Sequence, residues 1–117
     1  MSSPRSRAAG LALLLLAGPF AGAPAVAGET IHVQISKLVF QPGEITAHVG
    51  DTVEWSNEDF VAHTATATAG PQTAGGGWEV MIAVGKTAQR PLTRAGIMDY
   101  FCRFHPNMKG RITVLEK

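Results

Sequence analysis

In three segments between Thr30 and Ser56 apolar side chains recur at every second position, and this alternation restricts the fold more than any other feature of the chain. Ile31, Val33 and Ile35 alternate with His32, Gln34 and Ser36; Ile45, Ala47 and Val49 alternate with Glu44, Thr46 and His48; Val53 and Trp55 alternate with Thr52, Glu54 and Ser56. Successive side chains of a strand point to opposite faces, so the pattern buries one face of a sheet and leaves the other in water. No stretch carries the 3.6-residue period of an amphipathic helix. Turn residues follow at Gln41-Pro42-Gly43, Gly50-Asp51 and Arg94-Ala95-Gly96, and Ile112-Thr113-Val114-Leu115 supplies a last apolar strand. Short strands with frequent turns predict an all-β fold, an antiparallel Greek-key β-sandwich without repeats or a domain linker. Trp55 and Trp78 are expected in its core, Trp78 anchoring the far end of a flexible Gly-rich loop over residues 69–77.

The first 27 residues follow a different logic. Arg5 and Arg7 precede the apolar run from Gly10 to Gly18, and the segment ends in the small-x-small pattern Ala25-Val26-Ala27. This reads as a secretory signal peptide over 1–27, followed by one domain over 28–117. The run is shorter than the roughly 20 residues that span a bilayer, and Pro19 and Pro24 interrupt it. Ser6 separates the two arginines, so a twin-arginine signal is not met and a general secretory route to the periplasm is expected. The remaining 90 residues suffice for one small domain. They carry eight basic and nine acidic residues, a balance that does not suggest a nucleic-acid partner.

Cys102 is the sole cysteine, so no internal disulfide is available, and a leftover thiol in an exported protein calls for another use. Metal ligation supplies one, because a bound thiolate is shielded from oxidation. Cys102, His105 and Met108 form a C-x2-H-x2-M run, and His63 lies 39 positions upstream. A tight loop between strands can aim the sulfur, imidazole and thioether of that run at one point, with Pro106 stiffening it and Gly110 letting the chain turn into the last strand. His63 joins them only if a neighbouring strand brings it there. Taken singly, a lone cysteine is a small core residue, His63 a surface imidazole and Met108 a core filler. Together they offer one thiolate, two imidazoles and a weak axial thioether, a set that suits copper in either oxidation state. His32 and His48 fall on the polar phase of their strands and are expected to be solvated.

Trp55-Ser56-Asn57-Glu58-Asp59, His63-Thr64, and the stretch from Tyr100 through Met108 to Val114 resemble the cupredoxins, the type 1 blue copper proteins. The resemblance covers essentially the whole of 28–117. The two-residue gap between His105 and Met108 is similar to the amicyanin branch, with plastocyanin and pseudoazurin next, since those carry a longer gap. It implies one copper held by His63, Cys102, His105 and Met108, and a periplasmic electron shuttle. The chain departs from the pattern in two places: Arg103-Phe104 stands where amicyanin-like loops usually carry Thr-Pro, and Thr64 stands where asparagine often ties the two ligand segments together.

The expected function is that of a non-enzymatic, monomeric one-electron carrier. It would dock transiently near His105 with a redox-protein donor and acceptor, dehydrogenase or cytochrome-like, and Phe104 and Pro106 would form an apolar docking patch or simply cover the site. The alternative is a periplasmic copper-binding or delivery protein. A copper oxidase or nitrite reductase would need a further open metal site, which His32 and His48 without a third ligand do not build. A Cys-His hydrolase would leave the methionine idle and shows no oxyanion loop.

Overall fold

The computed structural model describes residues 28–69 and 76–117; the leader read at 1–27 and most of the Gly-rich loop lie outside the described residues. The strands are β1 (Thr30–Ser36), β2 (Val39–Gln41), β3 (Glu44–His48), β4 (Thr52–Asn57), β5 (His63–Ala67), β6 (Glu79–Ile82), β7 (Thr87–Pro91), β8 (Gly96–Phe101) and β9 (Lys109–Leu115), with no helix among the described residues. One sheet has the order β2-β1-β4-β7 and the other β3-β9-β8-β5-β6. The alternation is realised directly: Val33, Ile35, Ala47, Val53, Trp55, Ile112 and Val114 point into the space between the sheets and are buried.

Most neighbouring strands are antiparallel, but β1 with β4 and β3 with β9 are parallel. Parallel neighbours require the chain to leave the sheet and come back. Here the other sheet supplies the excursion, because the chain passes from β2 across to β3 before returning as β4 beside β1. Pairing of this kind joins residues far apart in sequence, and no local pattern announces it.

Trp55 occupies the centre. Its Nε1 donates to the Tyr100 hydroxyl at 3.2 Å, and the two rings meet edge to face at 5.6 Å. Phe40 meets the Tyr100 ring edge to face at 4.8 Å, and Trp78 packs 6.1 Å from it, closing the end of the core as expected. Burial pushes the Tyr100 phenol up to about 12 against the opposing effect of the Trp55 bond, so it stays neutral. Gly110 has a role other than the one its position suggests. It lies inside β9 opposite Tyr100, and a Cβ there would come within 2.3 Å of the tyrosine ring. What it supplies is room for that ring, not a turn.

The hairpin between β1 and β2 turns on Lys37 and Leu38, whose φ values of 55° and 62° are both positive. Two such residues twist a two-residue hairpin to match its strands, at a steric cost that glycine would escape. Asp59 offsets the cost by accepting the N–H of Lys37 at 2.7 Å and of Leu38 at 3.0 Å. That carboxylate also reaches the functional site.

Candidate metal centre

Antiparallel pairing of β5 with β8 aligns Thr66 with Phe101, so the start of β5 lies opposite the chain leaving β8. His63 is the first residue of β5 and Cys102 the first after β8. The sandwich therefore brings together two residues that are 39 positions apart in the chain.

The loop after β8 explains the spacing of its ligands. The His105 N–H donates to the Cys102 carbonyl at 3.1 Å, and the Met108 N–H donates to the His105 carbonyl at 2.8 Å. These are two consecutive turns sharing His105, and each spans three positions by construction. The Cys102 N–H closes the loop on the Met108 carbonyl at 3.0 Å. Cys102, His105 and Met108 are thus the corners of a rigid double turn.

The ligand atoms converge. Cys102 Sγ lies 3.6 Å from Nδ1 of His63 and 3.6 Å from Nδ1 of His105. All three atoms fall within 4.8 Å of one another. A separation of 3.6 Å is a weak hydrogen-bond distance to sulfur, and it equally suits atoms bridged by one ion with bonds of about 2.3 Å to sulfur and 2.0 Å to nitrogen. Cys102 and His63 are wholly buried, Met108 nearly so, and His105 is half-buried. One thiolate and two imidazole nitrogens at this spacing fit copper, and the buried Met108, tied to Cys102 through its backbone, is of the right type for a weak fourth donor. His32 and His48 stay outside. His32 Nδ1 meets Glu54 at 3.0 Å and His48 Nδ1 lies 4.0 Å from Asp51, and both imidazoles are mostly in water.

His63 is oriented from behind. Its Nε2 lies 2.9 Å from Asp59 Oδ2, an arrangement in which the ring donates Nε2–H to the carboxylate and keeps its Nδ1 lone pair towards Cys102. Burial raises the Asp59 carboxyl, but the Leu38 N–H, His63 and the Lys37 N–H outweigh it and hold the group below its ordinary value. Asn57, buried at the end of β4, accepts the Asp59 N–H at 2.9 Å and donates to the carbonyls of Val61 and Ile82, so the whole 57–61 turn is braced. In the sequence Asp59 carries no ligand pattern of its own, and its place four positions before His63 is the available signal. Asp59→Ala is expected to lower copper affinity by roughly 10–100-fold, the usual effect of removing a carboxylate that orients a ligand histidine. Competition with a chelator of known affinity checks this.

Thr64 answers the question raised by its departure from asparagine. Its hydroxyl accepts the Arg103 N–H at 2.8 Å, and its own N–H points at Cys102 Sγ from 3.4 Å. The two ligand segments are tied together by a hydroxyl in place of an amide.

Comparison with known proteins agrees with this geometry. The family described as copper binding proteins, plastocyanin/azurin family, matches residues 27–115. Amicyanin of Paracoccus denitrificans is 34% identical over 96 residues, covering 82% of this chain and 72% of that protein. Plastocyanin of Scenedesmus fuscus is 32% identical over 85 residues, covering 66% of this chain and 87% of that protein. The crystal structure of amicyanin from Paracoccus versutus superposes with a TM-score of 0.62 at 28% identity, covering 80% of this chain and 86% of that one.

Proposed function

The chain belongs to the plastocyanin/azurin family of copper-binding proteins, and from that premise we propose that it is a periplasmic one-electron carrier using a mononuclear type 1 copper site. The carrying observation is the convergence of Cys102 Sγ with the Nδ1 atoms of His63 and His105. His63, Cys102 and His105 would hold the metal strongly and Met108 weakly. The copper supplies one-electron chemistry between Cu(I) and Cu(II). The protein's part is to keep the same donors in place for both states: β5 and Asp59 hold His63, the double turn holds Cys102, His105 and Met108, and burial keeps water from the sulfur. A charged and then apolar leader over residues 1–27 supports export to the periplasm.

His105 offers the way in and out. It lines a surface depression with Leu38, Phe104 and Pro106, and Leu38 and Phe104 are nearly half exposed. The Arg103 guanidinium lies 4.9 Å over the Phe104 ring but is paired with Glu79, which offsets its charge beside this largely apolar rim. Such a rim suits brief docking of a redox-protein donor and then an acceptor, with the chain itself monomeric.

Two measurements test the reading. Voltammetry of the copper-loaded protein should show a reversible one-electron couple; irreversible or multi-electron behaviour would contradict a carrier. Phe104→Glu should slow electron self-exchange, measured by NMR line broadening in mixtures of the two redox states. Two copies docking through this face would bring like charges together, a cost of a few kcal/mol at low salt and less at high salt. Copper content and spectrum should not change. An unaltered exchange rate would place the docking face elsewhere.

A further inference from the structure

Beside the ligand loop, on the outer face of the second sheet, a closed ring of hydrogen bonds links four residues. Glu79 opens β6 directly opposite Thr66 of β5. Arg103 Nε and Nη2 donate to its two carboxylate oxygens at 2.8 and 2.9 Å. The Thr66 hydroxyl donates to Oε1 at 2.8 Å and lies 2.8 Å from the Thr64 hydroxyl, which accepts the Arg103 N–H at 2.8 Å.

The ring has a single direction. Arg103 and Thr66 hold the Glu79 carboxyl down to about 2, so at neutral pH it is ionised and only accepts. Thr66 has one proton and gives it to Glu79. In its contact with Thr64, therefore, Thr66 must accept and Thr64 must donate. With its proton committed to Thr66, Thr64 presents its lone pairs to the Arg103 N–H. Glu79 thus decides the sense of the Thr64–Thr66 bond, two contacts away.

Position makes this relevant to the metal. Arg103 follows Cys102 directly, Thr64 follows His63 directly, and the Thr64 N–H lies on Cys102 Sγ at 3.4 Å. As a source of stability the Glu79–Arg103 pair is poor, since its side chains are 36% and 51% exposed and solvent screens such pairs. Its geometry is better suited to fixing where the loop sits against β5.

We propose that Glu79 is a positioning residue of the copper centre: through Arg103 and Thr66 it sets the Thr64 hydroxyl and holds the Thr64 N–H on the Cys102 sulfur. This deepens the copper reading above and rests on it. An N–H directed at a thiolate withdraws electron density that the sulfur would otherwise give to the metal, and so favours the reduced state. Loosening the ring lowers the reduction potential.

The test compares Glu79→Ala, Glu79→Gln and Thr66→Val in the full chain. Copper-loaded protein is examined by voltammetry and visible absorption, and metal-free protein by amide exchange of Arg103. Glu79→Ala should lower the potential, shift the visible band and accelerate Arg103 exchange roughly five- to tenfold, as loss of one intramolecular hydrogen bond implies. Thr66→Val, with the ion pair intact, should lower the potential in the same sense. Glu79→Gln, whose amide oxygen still accepts, should recover most of the difference, and this variant with Thr66→Val carries the comparison if Glu79→Ala folds poorly. Reduced unfolding stability with potential, band and Arg103 exchange unchanged would overturn the proposal. Failure of the copper reading would be seen separately, as an absent blue band in the unsubstituted protein, because Arg103 exchange is measured without metal.

Discussion

Cys102→Ser is expected to abolish the intense visible absorption of the copper-loaded protein and to weaken copper binding severely. The thiolate is the softest donor in the site, lies 3.6 Å from both histidine Nδ1 atoms and is wholly buried. Its charge transfer to Cu(II) is the source of strong colour, and a serine hydroxyl at neutral pH is neither deprotonated nor polarisable enough to replace it. The change is small in volume, so the sandwich should survive at a cost of about 1 kcal/mol. Circular dichroism establishes the fold, and absorption with copper analysis establishes the loss. A folded serine variant that stays blue would remove Cys102 from the site.

Trp55→Ala should cost about 3–5 kcal/mol of unfolding free energy, the range for truncating a large buried aromatic. Trp55 is completely buried, its ring meets Tyr100 edge to face at 5.6 Å, and its Nε1 satisfies the Tyr100 oxygen. Losing it opens a cavity and removes that bond in one step. For a domain of this size the midpoint of thermal unfolding should fall by on the order of 20 °C. Tyr100 lies two positions before Cys102 on β8, so copper binding should weaken as the ligand loop loses its support. Thermal unfolding of the metal-free and copper-loaded forms checks both parts; a shift of only a few degrees would mean that the core does not depend on this ring.

How much of this was legible in the sequence follows from how local each interaction is. Val33, Ile35, Val53 and Trp55 announce their buried faces by alternation alone, because strand geometry is a property of neighbouring residues. The C-x2-H-x2-M spacing is likewise local, being two shared turns closed by the Cys102 N–H. His63 could be joined to the loop through family resemblance, and the β5–β8 register supplies the physical reason. Hidden features are those made by distant pairing. The parallel neighbours β1–β4 and β3–β9 depend on crossings between sheets. Asp59 matters because the Lys37-Leu38 turn and His63 both fold onto it, and Glu79 matters because cross-strand register sets it opposite Thr66. Gly110 suggested a turn until Tyr100 was seen to fill the space that a side chain would occupy. In each case the residue type was ordinary and its partner decided its role.

The proposed copper site of His63, Cys102, His105 and Met108 should take up one ion and cycle it by one electron. The most direct test is titration of the metal-free protein with Cu(II) while the visible spectrum is recorded. An intense blue absorption that grows linearly and stops at one equivalent, and that bleaches on addition of one electron equivalent, is the predicted result. A protein that takes up copper without strong visible absorption, or whose colour continues to grow past one equivalent, would contradict it.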